Sequence, residues 1–155
     1  MPIPEFVVEI RKMIGHHEMW LPGITAVVCR GDEVLLVRRS DNGEWTPITG
    51  IPEPGEEPAV AAAREAQEET GVVIRVDRLA STSVFPGVVH ANGDRASYLD
   101  LTFACTYVSG EAHVADDESV DVRWFPVDAL PEMAAAMLQR IADVLSGEQA
   151  ARFVR

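Results

Sequence analysis

Three glutamates, Glu65, Glu68 and Glu69, stand at i, i+3 and i+4 in the segment Arg64-Glu65-Ala66-Gln67-Glu68-Glu69-Thr70-Gly71. On a helix, at 100° per residue, they share an arc of about 100°. The flanking residues give that helix defined ends. Pro52, Pro54 and Gly55 forbid regular structure over 50–57, Pro58 suits a first helical turn, and Gly71 suits the position just past a last one. Like charges set so close destabilise a helix, and a divalent cation that prefers oxygen offsets them. Oxygen-only ligands, with no His or Cys on that face, favour Mg²⁺ or Mn²⁺ over zinc. Substrate phosphates usually complete the shell of Mg²⁺, so the helix points to chemistry on phosphates. Arg64, four residues before Glu68, is placed to orient a carboxylate or to offset negative charge.

Gly50 and Glu56 make the spacing specific. The order Gly, five residues, Glu, seven residues, Arg-Glu, an aliphatic residue, any residue, Glu-Glu, any residue, Gly, aliphatic residue is that of the Nudix box. Gly50, Glu56, Arg64, Glu65, Glu68, Glu69 and Gly71 fill all seven fixed positions. A chance match at a given start is roughly 10⁻⁸. The chain therefore resembles a Nudix hydrolase. A solvated acidic face is the ordinary fate of an isolated Glu-Ala-Gln-Glu-Glu string, and the spacing back to Gly50 and Glu56 reverses that reading. Two departures stand out. Ile48-Thr49 precedes Gly50 where the family usually has Pro-Gly, giving a bulkier loop entrance. Ala66 replaces a larger aliphatic residue, a mild loss of packing. Neither removes a ligand.

The resemblance implies an α/β fold: a Nudix-like α/β/α sandwich, with a mixed β-sheet between helices and, here, an extra N-terminal helix. It implies metal-dependent hydrolysis of a diphosphate linkage in a nucleoside diphosphate derivative such as ADP-ribose or a nucleotide sugar, with a nucleoside triphosphate as the alternative. It adds the backbone carbonyl of Gly50 to Glu65, Glu68 and Glu69 as metal ligands. The nucleophilic water gives its proton either to Glu65 or to Glu118 in the late Asp116-Asp117-Glu118 run, and the sequence leaves both open. Glu56 is expected outside the ligand set, fixing loop to helix. Arg38 and Arg39 end a strand near the expected site, and alternation turns only one of them to the cleft. His90, Asp94 and Arg95 fall where the family varies its substrate contacts. For all five a plain surface role is the competing reading. Trp20 and Trp45 are expected in packing rather than against a base, and His16-His17 as an exposed pair. A non-catalytic Nudix-fold binding module typically loses box glutamates, which are intact here. Isomerase chemistry on this fold uses a catalytic cysteine, and RNA decapping is disfavoured by a short, acidic chain. Dimers are frequent in the family, so a homodimer that uses the extra helix is an expectation by analogy alone.

The 155 residues suit one domain, with an N-terminal helix and linker over 1–20, a core over 21–146 and a C-terminal tail over 147–155. A net charge of -12 argues against nucleic acid and anionic membrane as partners, leaving a small nucleotide. A bound cation would reverse the sign locally. Cys29 and Cys105 sit in apolar strand-like runs and are expected as buried, reduced thiols. Pro2, Pro4, Glu5 and Glu9 interrupt any apolar leader, no stretch is long enough to span a membrane, and a cytoplasmic location is the default.

Along the chain, residues 3–14 read as a helix with Phe6, Ile10, Met13 and Ile14 on one face, followed by a linker to Gly23. A hairpin spans 24–39, a turn 41–43, and a short strand leads to Gly50. After the box helix come a strand over 72–84 and a loop over 85–95. Residues 98–108 read as a half-buried strand with Leu99, Leu101, Phe103 and Cys105 inward. An acidic loop over 109–119, a strand over 120–125 and a helix over 131–145 follow, the last with Met133, Met137, Leu138, Ile141 and Leu145 inward.

Overall fold

The computed structural model describes residues 3–155; Pro2, part of the N-terminal reading, lies outside them. In chain order the elements are α1 (Glu5–Ile14), β1 (Met19–Arg30), β2 (Glu33–Arg39), β3 (Trp45–Thr46), β4 (Ile48–Gly50), α2 (Pro58–Thr70), β5 (Val73–Val89), β6 (Arg95–Ser109), β7 (Ser119–Pro126) and α3 (Ala135–Leu145). One sheet runs β3-β2-β1-β6-β5, with β4 beside β1 and β7 beside β2. β1 and β6 are parallel and the other pairings antiparallel, so the sheet is mixed.

Alternation along β1 sorts the two layers. Ile24, Ala26 and Val28 pack with Ala61, Ala62 and Ala66 of α2, while Val27 packs with Ile141 and Val144 of α3. The sheet is thus covered on both faces, with α1 closing one end through Val7 against Met19, Leu21 and Ala96. Ala66 belongs to a buried alanine face, so the smaller side chain is not an isolated packing loss. No helix among the described residues is long and apolar enough to cross a membrane.

Several elements differ from expectation. Residues 19–23 are not linker but the start of β1, paired with β6 from Met19–Ala96 onward. Pro22 fits there because β1 has β6 as its sole neighbour at that point. Residues 85–89 extend β5, and the expected loop shrinks to a turn over 90–94; Pro86-Gly87 is absorbed as an irregularity between Phe85 and Val88. β6 is covered on both faces, so alternation misassigned it: Asp100 is 3% exposed and Leu99 40%. Ile48-Thr49-Gly50 is a strand against Ala26, Thr25 and Ile24 rather than a bulky loop entrance, and Ile48 lies in the core. α3 begins at Ala135, four residues late, and buries Arg140, Ile141, Asp143 and Val144 while Leu138 and Leu145 are exposed. Met13 of α1 is 78% exposed, and Val7 takes the inward place. The tail over 147–155 is tied down: Arg152 N donates to Ala80 O (2.9 Å), Thr82 N donates to Arg152 O (3.0 Å), and the Arg152 side chain pairs with Glu148 and Asp143. Both cysteines are free thiols, Cys105 buried and Cys29 half-buried.

Candidate active site

Two of the three helix glutamates, Glu65 and Glu69, belong to the buried stripe of α2. Ala61, Ala62, Glu65, Ala66 and Glu69 recur at the spacing of one helix face, and all five are buried. A solvated acidic face would turn them outward. Glu68 lies beside this stripe, its side chain 52% exposed, and opens on a hollow between α1 and α2 with Val8 and Glu9. Within the shared arc, Glu65 and Glu69 thus lie on the inner face of α2 and Glu68 at its edge.

Arg64 organises the helix surface. Its Nε and Nη2 donate to the two oxygens of Glu56 (2.8 and 2.9 Å), a bidentate pair that fastens loop to helix. Nη1 donates to Glu65 Oε1 (2.9 Å) and Glu68 Oε2 (3.1 Å). Glu56 also accepts from Glu53 N, and the Arg64 hydrogen bonds hold its carboxyl below the usual carboxylate range. Glu65 Oε2 is buried with no hydrogen-bond partner. Burial raises Glu65 to about 7 against the pull of Arg64. Burial and the Glu65 charge raise Glu69 to about 8.

Gly50 backs onto this pair. A Cβ there would stand 2.5 Å from the Glu65 carboxyl carbon, so only glycine lets the β4 backbone come this close. On the far side, the segment after β6 folds over the end of α2. His113 N donates to Thr70 O and Ala115 N to Glu69 O, both at 3.1 Å. Gly71, at φ 71°, ends the helix with its N–H on Gln67 O, and a Cβ there would collide with the His113 ring. The stitched loop brings Asp116 and Glu118 to Glu69, with one oxygen of each within 4.8 Å of the others. Asp116 was not among the expected site residues; the Asp116-Asp117-Glu118 run was its visible signal.

The donor set suits a hard divalent cation. All candidate ligands are oxygens, a buried carboxylate oxygen lacks a partner, and burial pushes two carboxylates upward.

Beside these acids lies a cleft of about 730 Å³, which Gly50 and Glu118 line. Arg39 lines it too, paired with Asp41 at 2.6 Å, whereas exposed Arg38 donates to Gly43 O. His90 and Asp94 reach the cleft and Arg95 does not line it. His90 Nε2 lies 3.1 Å from the Tyr98 hydroxyl. Asp94 faces His16 Nδ1 at 2.8 Å and Arg11 Nε at 3.6 Å, so His16, exposed as expected, is also a partner of the turn. Trp45 packs edge-on against Phe125, and Trp20 is exposed. The cleft floor also holds Asp100 and Arg140, which sequence reasoning left unmarked.

A family profile described as NUDIX domain matches residues 19–145. The chain belongs to the Nudix hydrolase family. Among curated Nudix relatives, an NAD-capped RNA hydrolase NudC of Stutzerimonas stutzeri is 34% identical over 124 residues, covering 79% of this chain and 42% of that protein. This chain thus spans about two-fifths of that relative's length. A MutT-like protein of Streptomyces ambofaciens is 36% identical, over 80% of this chain and 76% of its own. Among solved structures, a NUDIX hydrolase from Nitrosomonas europaea superposes with a TM-score of 0.71 at 26% identity, covering 86% of this chain and 93% of that one.

Proposed function

We propose that the protein hydrolyses a diphosphate linkage in a nucleoside diphosphate derivative, such as ADP-ribose or a nucleotide sugar, with Mg²⁺ or Mn²⁺ bound by Glu69, Glu65 and the Gly50 carbonyl, and with Asp116 beside them. The observation that carries this reading is the meeting of Glu69 with Asp116 and Glu118 at a cleft that Gly50 also lines. When bound, the ion supplies charge neutralisation and a nucleophilic water at neutral pH. Glu118 takes the water's proton on a carboxylate oxygen: it lines the cleft, whereas the Glu65 side chain is fully buried and tied to Arg64. Arg64 and Glu56 keep the glutamates in place.

A diphosphate derivative is favoured over a triphosphate by the state of the cleft's arginines. Arg11, Arg39 and Arg140 line it, and each already faces a carboxylate, Asp94, Asp41 and Asp100 respectively. A terminal phosphate with its added charge would find each guanidinium there already neutralised by a carboxylate. The same pairing, with the net charge of -12, favours a small nucleotide over RNA. NAD carries the same diphosphate, so an NAD-capped oligonucleotide belongs in the test as a rival.

The test is product release from ADP-ribose, nucleotide sugars, nucleoside triphosphates and NAD-capped RNA, each with and without Mg²⁺ or Mn²⁺. Turnover of a diphosphate derivative only with metal is expected. Preference for triphosphates or capped RNA would overturn the substrate class, and no turnover would favour a binding module. For the base, Glu118→Gln is expected to lower kcat by about 10²–10⁴ with little change in KM. Recovery at high metal concentration would make Glu118 a ligand instead.

A further inference from the structure

The floor of the cleft is a buried polar network built from three distant parts of the chain. Asp100 accepts from Thr25 at Oδ1 (2.8 Å) and from Thr102 at Oδ2 (2.7 Å). Arg140 Nη1 donates to Thr25 Oγ1 (2.9 Å) and stands 3.5 Å from Asp100 Oδ1. Both oxygens of Asp100 are therefore engaged. Arg140 has donors to spare: a guanidinium carries five N–H groups, Nη1 also donates to the Met137 sulfur (3.5 Å), and Nε, buried, has no partner. Arg140 is 6% exposed, and what remains open lines the cleft. Nε is sealed from the cleft, so the guanidinium edge that remains open is the one a ligand can meet.

Two neighbours shape what that acceptor is. Asp100 cancels the charge of Arg140, so the floor presents hydrogen-bond donors without net charge and favours a neutral acceptor over a phosphate. The Phe85 ring lies 5.7 Å from the guanidinium carbon and lines the same cleft, offering a flat apolar face. A planar ring edged with acceptors is the complementary ligand.

We propose that Arg140, neutralised by Asp100 and walled by Phe85, is a specificity-determining residue that selects nucleotides whose base carries an oxo group at O6 or O4, guanine or uracil, over those that carry an amino group at the corresponding N6 or N4, adenine or cytosine. An oxo oxygen accepts from the guanidinium, as in the pairing of Arg with guanine O6 and N7. An exocyclic amino group would set donor against donor and stay unpaired in a desolvated site. This selection rests on the diphosphate-hydrolase reading and narrows it.

The experiment varies the base and holds the rest. GDP-glucose, UDP-glucose and ADP-glucose are compared by kcat/KM, and GMP, UMP and AMP are compared by calorimetric binding. The oxo bases are expected to lead by about 5- to 100-fold. In the paired substitution Arg140→Gln with Asp100→Asn, the ratio falls toward one or reverses, because a glutamine amide suits the N6 and N7 edge of adenine. Equal or better use of adenine by the wild type overturns the proposal, whether or not the double variant folds. An unchanged ratio in a folded double variant does the same. Binding preference without turnover sinks the hydrolase reading alone, turnover without preference sinks the base selection alone, and binding of no nucleotide sinks both.

Discussion

The two ends of the cleft are built in opposite ways. At the acidic end, Gly50, Glu56, Arg64, Glu65 and Glu69 lie within twenty residues of one another on β4, the loop after it and α2, and the late loop adds Asp116 and Glu118. At the floor, Thr25 meets Asp100 across 75 positions and Arg140 across 115, so nothing short of the whole sheet and α3 assembles the group. The first is a local device that repeats wherever its spacing repeats. The second depends on packing, and a small change in any of three elements alters it. Chemistry common to many substrates suits the former, and discrimination among substrates suits the latter.

Substitutions at the acidic end are therefore expected to slow every nucleotide alike. The largest effect is assigned to Glu69→Gln, with kcat/KM down about a thousandfold or more, the several kcal/mol a bound cation contributes. Glu68→Gln, at a half-exposed position outside the cleft, is expected to cost far less. Steady-state kinetics on one metal-dependent substrate decide it, and equal losses would mean that Glu68 swings inward to ligate. Next comes Arg64→Lys, which keeps the charge and loses the fork on Glu56. A 10- to 100-fold drop in activity or metal affinity is expected, independent of the base. A base-dependent drop would erase the distinction between the two ends.

Acid–base linkage gives a third check. Burial raises Glu69 to about 8 and Glu65 to about 7, above the 4.5 of a free glutamate. A carboxyl whose folded pKa is raised binds its proton more tightly in the folded state. The stability it lends is full at pH below about 4.5 and is lost as pH rises through about 7 to 8. The metal-free protein should lose Tm between about pH 4.5 and pH 8 and level off above, and Mn²⁺ should restore it at the alkaline end. A metal-free Tm that climbs over that range would mean the two carboxylates are compensated within the protein. The smallest effect distinguishes adjacent arginines. Arg39→Ala is expected to raise KM several-fold, while Arg38→Ala stays within about twofold, as for other exposed positions. A reversal would mean that β2 turns its other face to the cleft.

The same contrast explains what could be read in advance. The loop over 50–57, α2 and its Gly71 end follow from prolines, a helical period and one glycine, all local signals. The mixed sheet between helices followed from the order of elements. Asp100 was misread because alternation along β6 assumes one wet face, and α3 covers that face from 40 residues downstream. Arg140 sits in an alanine-rich helix whose charged residues look like ordinary solvent contacts. Asp116 was visible as an acid in a run of acids, but its place beside Glu69 depends on backbone bonds to Thr70 and Glu69 that no side-chain pattern announces.

Those two backbone bonds make the late loop a ruler. Ala115 is pinned to the last turn of α2, and Asp116 and Glu118 are counted off from it at one and three residues. Although 110–118 has no regular structure, its final stretch has a set length. One residue inserted before His113 leaves the count intact, whereas one inserted after Ala115 displaces at least one of the two acids. Loop swaps meant to change the substrate belong upstream of His113, where they leave the spacing from Ala115 to the two acids untouched.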